Sequence, residues 1–136
     1  MFKFLFLLIL STSYVFASGS ETIERVIDDY FQGYQAADTF LIKKSFHSDT
    51  RLLSVDETKL DVTEMKDWIQ SLEERKLKGD IRKGKLRIES IDITGDSAIV
   101  KLKIRFLKFE FTDYLSLLKI DHKWIIVGKI YHYRAL

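Results

Sequence analysis

Residues 109–132, FEFTDYLSLLKIDHKWIIVGKIYH, decide the fold. Apolar and polar residues alternate on either side of Asp121-His122, which predicts two long β-strands folded back on each other through a two-residue turn. In that register each residue before the turn faces its mirror image after it. Leu117 faces Ile126, Leu115 faces Gly128, Asp113 faces Ile130 and Phe111 faces His132. Asp113 and His132 then become diagonal neighbours on one face, about 7 to 8 Å apart and within side-chain reach. Leu115, Leu117, Trp124, Ile126 and Ile130 share that face, so it is expected to turn toward helices and to floor a pocket. The opposite face carries Tyr114, Leu118, Ile125, Val127, Tyr131 and Tyr133, which is too apolar for a free surface.

Upstream of the hairpin, the period of two continues. Lys85–Thr94 and residues 98–107 read as strands joined at Gly95-Asp96, and the second alternates Val100, Leu102, Ile104 and Phe106 with Lys101, Lys103 and Arg105. The next turn is placed near Lys108, although Phe106-Leu107-Lys108-Phe109 lacks glycine, asparagine and proline. Before Gly84 the period is helical. Ile23, Val26, Ile27, Tyr30, Phe31 and Tyr34 form one stripe of a first helix, with Ser20 as its expected N-cap and Gly33 marking close packing or fraying. Asp38 is the expected cap of a second helix over residues 39–46, followed by a turn at His47-Ser48-Asp49-Thr50. Residues 51–55 read as a short strand and residues 56–59 as a polar loop. Asp61 and Glu64 resemble a capping box for a third helix that carries Met65, Trp68, Ile69 and Leu72, with Gly79 as its stop.

Helices followed by consecutive strands predict an α+β domain, a curved antiparallel sheet packed on three N-terminal helices. The 136 residues, 46% of them hydrophobic, suffice for one core, and 22 basic against 20 acidic residues describe a solvated surface rather than one built for nucleic acid. With no cysteine there is no disulfide, thiolate nucleophile or lipoprotein anchor residue. Residues 1–17 have Lys3, an apolar run from Phe4 to Leu10 and a small-residue site at Val15-Phe16-Ala17. That is the pattern of a cleaved signal peptide, too short for the roughly 20 residues that span a bilayer. A single domain over residues 18–136, exported to the periplasm or secreted and without a stable membrane anchor after cleavage, is expected.

The element order and several strings resemble the nuclear transport factor 2-like superfamily, whose fold is a cone. The strings are V-x-x-Y-F-x-G at Val26 to Gly33, Asp38 before the second helix, F-H-x-D at Phe46 to Asp49, and D-Y-L-S-L-L-K-I-D-x-K-W-I-I-V-x-K-I-Y-H at Asp113 to His132. The last is most similar to the branch called putative lumazine-binding. The resemblance implies a cavity between sheet and helices and a homodimer through the outer sheet face. Relatives include isomerases, dehydratases, cyclases and epoxide hydrolases beside proteins without catalysis.

Candidate residues follow from the residues themselves. Asp113 with His132, or His47, could carry protons in an apolar site, and the alternative is a structural hydrogen-bonded pair. His47 with Asp49 is equally a local turn cap. Tyr30, Tyr34, Trp68, Leu115, Leu117, Ile126 and Ile130 would line the pocket, and the aromatic members are equally core. The three histidines are too scattered to predict a metal site, and no cofactor motif is present. The leading expectation is an exported, non-catalytic domain that binds an unknown small apolar or aromatic molecule. An isomerase, dehydratase or cyclase using the Asp/His pair, and a dimerisation module, are the alternatives.

Overall fold

The computed structural model describes residues 19–136. The expected signal peptide lies outside them. Three helices, α1 (Gly19–Ala36), α2 (Thr39–Ser45) and α3 (Met65–Leu77), pack on a sheet of β1 (Arg51–Asp56), β2 (Lys59–Glu64), β3 (Lys85–Thr94), β4 (Ser97–Arg105), β5 (Phe109–Ile120) and β6 (Lys123–Ala135). The sheet order is β2-β1-β6-β5-β4-β3, antiparallel throughout except where β1 runs parallel to β6.

The apolar stripes form the core as their spacing predicts. Ile23, Ile27, Tyr30, Phe31 and Tyr34 of α1 and Met65, Trp68 and Leu72 of α3 are buried against Val100, Leu102, Ile104, Leu115, Leu117 and Ile126 of the sheet. Gly33 marks close packing: a Cβ there would stand 3.0 Å from Ile42 Cδ1 and Leu41 Cβ, so α2 lies directly on α1. Asp38 caps α2, its carboxylate accepting from the Phe40 and Leu41 amides at 3.0 and 3.4 Å.

Three local expectations are corrected. Helix α1 begins at Gly19, which puts Ser20 inside the first turn rather than at the cap. Residues 59–64 are a strand, not a loop and capping box. The turn at Glu57-Thr58 is tight, with Glu57 at φ 53, so Lys59–Glu64 folds back on β1 in unbroken register from Asp56↔Lys59 to Arg51↔Glu64. Asp61 is therefore a strand residue, and Glu64 stands at the N-cap of α3 without a side-chain capping bond. The β4–β5 turn falls at Leu107-Lys108, near Lys108 as expected, closed by the Phe106 amide donating to the Phe109 carbonyl at 2.9 Å.

The largest correction concerns register. Asp121 and His122 do form a two-residue turn, with φ 48 and 63 as a tight hairpin requires. From Ile120↔Lys123 to Leu117↔Ile126 the pairing is the one the sequence predicts. Val127 is then an extra residue: Ser116 pairs with Gly128, and every later pair is displaced by one, giving Leu115↔Lys129, Asp113↔Tyr131, Thr112↔His132 and Phe111↔Tyr133. A β-bulge of this kind sends each following side chain to the other face. Where the bulge bends the strand, the Ile126 carbonyl accepts from the His47 amide at 2.8 Å and from Thr50 Oγ1 at 2.9 Å. The turn after α2 is thereby fastened to β6, and β1 runs on beside it with Leu52↔Lys129.

Candidate functional site

The bulge decides what faces the helices. His132 does not join Asp113; it pairs with Thr112 on the outer side and is exposed. Ile130, expected in the pocket, is also turned outward, 54% exposed beside Leu53 of β1. Tyr131 and Tyr133, expected on the outer face, turn to the side of Phe111, their ring centroids 5.8 and 5.6 Å from its own; Tyr131 is half-buried there and Tyr133, nearer the strand end, stays exposed. In place of the imidazole the register delivers Lys129.

Asp113 is wholly buried and Lys129 is 6% exposed. The Lys129 ammonium donates to the Tyr30 hydroxyl at 2.6 Å and stands 3.1 Å from Asp113 Oδ2. Tyr30 in turn donates its O–H to the same Oδ2 at 2.6 Å. Helix α1 thus contributes one member of a closed triangle and two neighbouring strands contribute the others. Taking two charges out of water costs several kcal/mol each, and the triangle offsets this with charge-assisted hydrogen bonds. Burial, and then the negative charge of Asp113, hold the Tyr30 hydroxyl proton well above the usual tyrosine range. Tyr30 therefore acts as a neutral donor.

Aromatic rings close round the ammonium. Its nitrogen lies 5.5 Å from the centroid of Trp68, 5.8 Å from Phe111 and 5.0 Å from Tyr131. Those distances suit attraction between a cation and ring faces. Its approach to Tyr30 is through the hydroxyl, since a nitrogen 2.6 Å from that oxygen and 4.9 Å from the centroid is near the ring edge. Asp113 Oδ1 has no hydrogen-bond partner among the described residues.

The remaining predicted site residues separate. Tyr30, Tyr34, Trp68, Leu115, Leu117 and Ile126 are all buried on the helix side. Tyr30, Phe46 and Trp68 fill that space with edge-to-face contacts at 5.1 to 6.3 Å. Tyr34 accepts a hydrogen bond from Arg82 at 2.7 Å, and burial raises its pKa even though Arg82 and Arg75 oppose the shift. His47 stays with its own turn, Nδ1 accepting from the Asp49 amide at 3.2 Å.

Open space lies beside the triangle, at the far side of the Phe111 and Tyr131 rings. A cleft of about 440 Å³ runs between the β1–β2 hairpin and the end of the long hairpin, lined by Ser54, Asp56, Asp61, Phe111, Tyr131 and Tyr133, with His132 at its rim. Sequence reasoning missed Lys129 and Tyr131 as neighbours of Asp113. The available signal was Gly128, because a glycine inside a strand pattern marks a bulge.

Comparison with known proteins agrees with this architecture. Residues 18–132 match the family described as Putative lumazine-binding. A nuclear transport factor 2-like protein of unknown function from Shewanella baltica superposes with a TM-score of 0.75 at 28% identity, over 90% of this chain and 98% of that one. A second, from Methylobacillus flagellatus, gives 0.72 at 27% identity, over 88% and 96%. A ketosteroid isomerase-like protein from Erwinia carotovora, at 14% identity and a TM-score of 0.63 over 87% and 98%, shares the fold alone. Among curated proteins, the aldolase FrzH of a Cladobotryum species is 40% identical over 50 residues, 35% of this chain and 40% of that protein. The chain thus spans about two fifths of the length of that relative. The chain belongs to the putative lumazine-binding family of the nuclear transport factor 2-like superfamily.

Proposed function

We propose that this member of the family is an exported, non-catalytic domain that binds a small planar molecule in the cleft walled by Phe111, Tyr131 and Tyr133. One observation carries the reading: Phe111 and Tyr131 line the open cleft and also stand 5.8 and 5.0 Å from the buried Lys129 ammonium. Their rings are held from behind by a fixed charge, so a ligand meets a preorganised aromatic wall. Asp56 and Asp61 across the cleft supply acceptors for ring N–H groups. Aromatic walls with acidic acceptors suit a fused, nitrogen-rich ring, the chemistry that the family's description names. Export is supported by the leader-like pattern of residues 1–17.

The test is a titration of lumazine and related heterocycles, followed by the thermal midpoint and by tyrosine and tryptophan fluorescence. A ligand at a hundred times its Kd stabilises the fold by about 2.7 kcal/mol, enough to move the midpoint by several degrees. Tyr131→Ala is expected to weaken binding at least about tenfold through the lost stacking. A midpoint that never moves with any planar heterocycle sinks the reading.

A catalytic reading is favoured by the unpartnered Asp113 Oδ1 and by the partial match to an aldolase. Here the Phe111 and Tyr131 rings, which shut the wholly buried Asp113 off from the cleft, swing aside to admit a ketone; Asp113 takes a proton from the carbon beside its carbonyl, and the neighbouring Lys129 ammonium stabilises the enolate formed. Solvent-deuterium exchange into a simple ketone, followed by NMR, is expected to be lost in Asp113→Asn; no exchange above buffer in the natural protein excludes it. As for partners, the outer sheet face presents Ile99, Tyr114, Leu118 and Ile130, each at least 40% exposed, and supports a homodimer. Native mass spectrometry finding monomer alone at micromolar concentration would contradict that.

A further inference from the structure

We propose that the end of the domain formed by the α3–β3 linker and the β4–β5 turn docks on an anionic lipid surface. Leu107 at the tip of that turn is 90% exposed, Leu77 at the end of α3 is 88% exposed and Ile81 in the linker is 54% exposed. Ile81, Lys83, Leu107 and Lys108 line one shallow groove, so the linker and the turn meet there.

Local structure does not require these apolar tips. Neither Leu107 nor Lys108 is among the residues with positive φ, and the turn is closed by backbone groups, Phe106 N–H to Phe109 C=O. A polar residue would serve the turn equally well. Leu107 touches almost nothing of its own chain, so its contribution to packing is negligible.

The charges around the tips are also unbalanced. Lys76, Lys78, Lys83 and Lys108 flank them in sequence, and Lys85 faces Arg105 directly across β3 and β4. Like charges in opposed strand positions oppose pairing. Of the nearby acids, Asp80 is held by Arg75 and Arg82, and Glu110, opposite Arg105, by Arg134; Glu73 and Glu74, one turn back on α3, leave the lysines in excess. Aliphatic tips flanked by an excess of lysines complement an apolar layer beneath a sheet of anions, which is an anionic leaflet. Among the described residues no helix is long and apolar enough to cross a membrane, so the contact is peripheral. Leu77 and Leu107 project singly from separate turns, which favours a fluid lipid layer over the complementary groove that a peptide helix or strand would need.

The test is co-sedimentation of the chain from residue 19 onward, which holds every described element, with vesicles. One set is phosphatidylcholine alone and the other an equal mixture with phosphatidylglycerol. Binding to the mixed vesicles at low salt is expected, weakening at least about tenfold at ~0.5 M salt, where screening shortens the reach of charge to a few ångströms. Leu77→Ser with Leu107→Ser, and separately Lys83→Glu with Lys108→Glu, are each expected to lower binding at least fivefold, roughly what losing the tips or the nearest cations implies. Both pairs are exposed, so an unchanged thermal midpoint and circular dichroism spectrum will show the fold intact. Absence of binding to the mixed vesicles at low salt overturns the proposal. So does equal binding to phosphatidylcholine alone, or leucine variants that bind as well as the parent, because charge alone would then suffice and any polyanion or acidic protein would serve.

Discussion

The two halves of the β5–β6 hairpin are built from similar alternating sequence, yet they differ in what they place inside. Next to the turn, Leu117 and Ile126 face each other and are buried, as mirror pairing predicts. Beyond Val127 the pairing is displaced, so Lys129 and Tyr131 go inward and Ile130 and His132 outward. The turn half is apolar core; the far half is an ion pair surrounded by aromatic rings. The contrast shows that turn chemistry fixes register only as far as the first bulge.

The largest test removes the charge that the far half was built round. Asp113→Ala leaves the Lys129 ammonium buried and unpaired and is expected to cost about 3 to 5 kcal/mol of stability, measured by urea denaturation. Replacing both partners, Asp113→Leu with Lys129→Met, is expected to recover most of that loss, because neither desolvated charge remains. If Asp113→Ala costs under about 1 kcal/mol, the far half does not depend on its ion pair.

Next in size is Tyr30→Phe, which takes away the hydroxyl that joins Lys129 to Asp113. About 1 to 3 kcal/mol is expected at neutral pH. The same variant tests a pH dependence. The Tyr30 pKa is raised in the fold by burial and by Asp113, so its contribution is fully present below about pH 10, the unfolded tyrosine value. Above that pH the unfolded chain holds fewer protons than the folded one, and stability falls as pH climbs toward the folded value. Tyr34 shifts in the same direction. The alkaline decline in chemical denaturation should therefore be shallower in Tyr30→Phe than in the parent. Superimposable declines would show that Tyr30 ionises freely.

Two smaller changes ask whether the register is the one described. His132→Ala, on the exposed outer face, is expected to stay within about 0.5 kcal/mol of the parent. In mirror pairing the same change would strip Asp113 of its partner and cost several times more. Gly128→Ala is expected to have the smallest effect, near neutral, because its Cβ would meet Ser116 at an ordinary 3.5 Å and its φ is not positive. A thermal midpoint displaced by more than a few degrees would mean that the bulge needs a glycine.

Much of the fold was legible because its signals are local. The stripe from Ile23 to Tyr34, the Asp38 cap and the turns at Gly95 and Asp121 are all set by residues within a few positions of one another. Strand β2 was not legible: Asp61 and Glu64 imitate a helix start, and only pairing with β1 turns that segment into a strand. The candidate site was legible in part. Asp113 stood out as an acid in an apolar strand, and Tyr30 as a buried-face aromatic, but no short-range pattern joins them across 83 positions or brings Lys129 to Tyr30 across 99.

The sequence by itself determined the helices, the long strands, the turn at Asp121-His122 and the apolar composition of the core, since each follows from periodicity and backbone preference. Only the tertiary structure decided which of Lys129 and His132 meets Asp113. That choice rests on one extra residue at Val127, placed where the turn after α2 and strand β1 dock on β6, and alternation alone does not reveal where a strand skips a step.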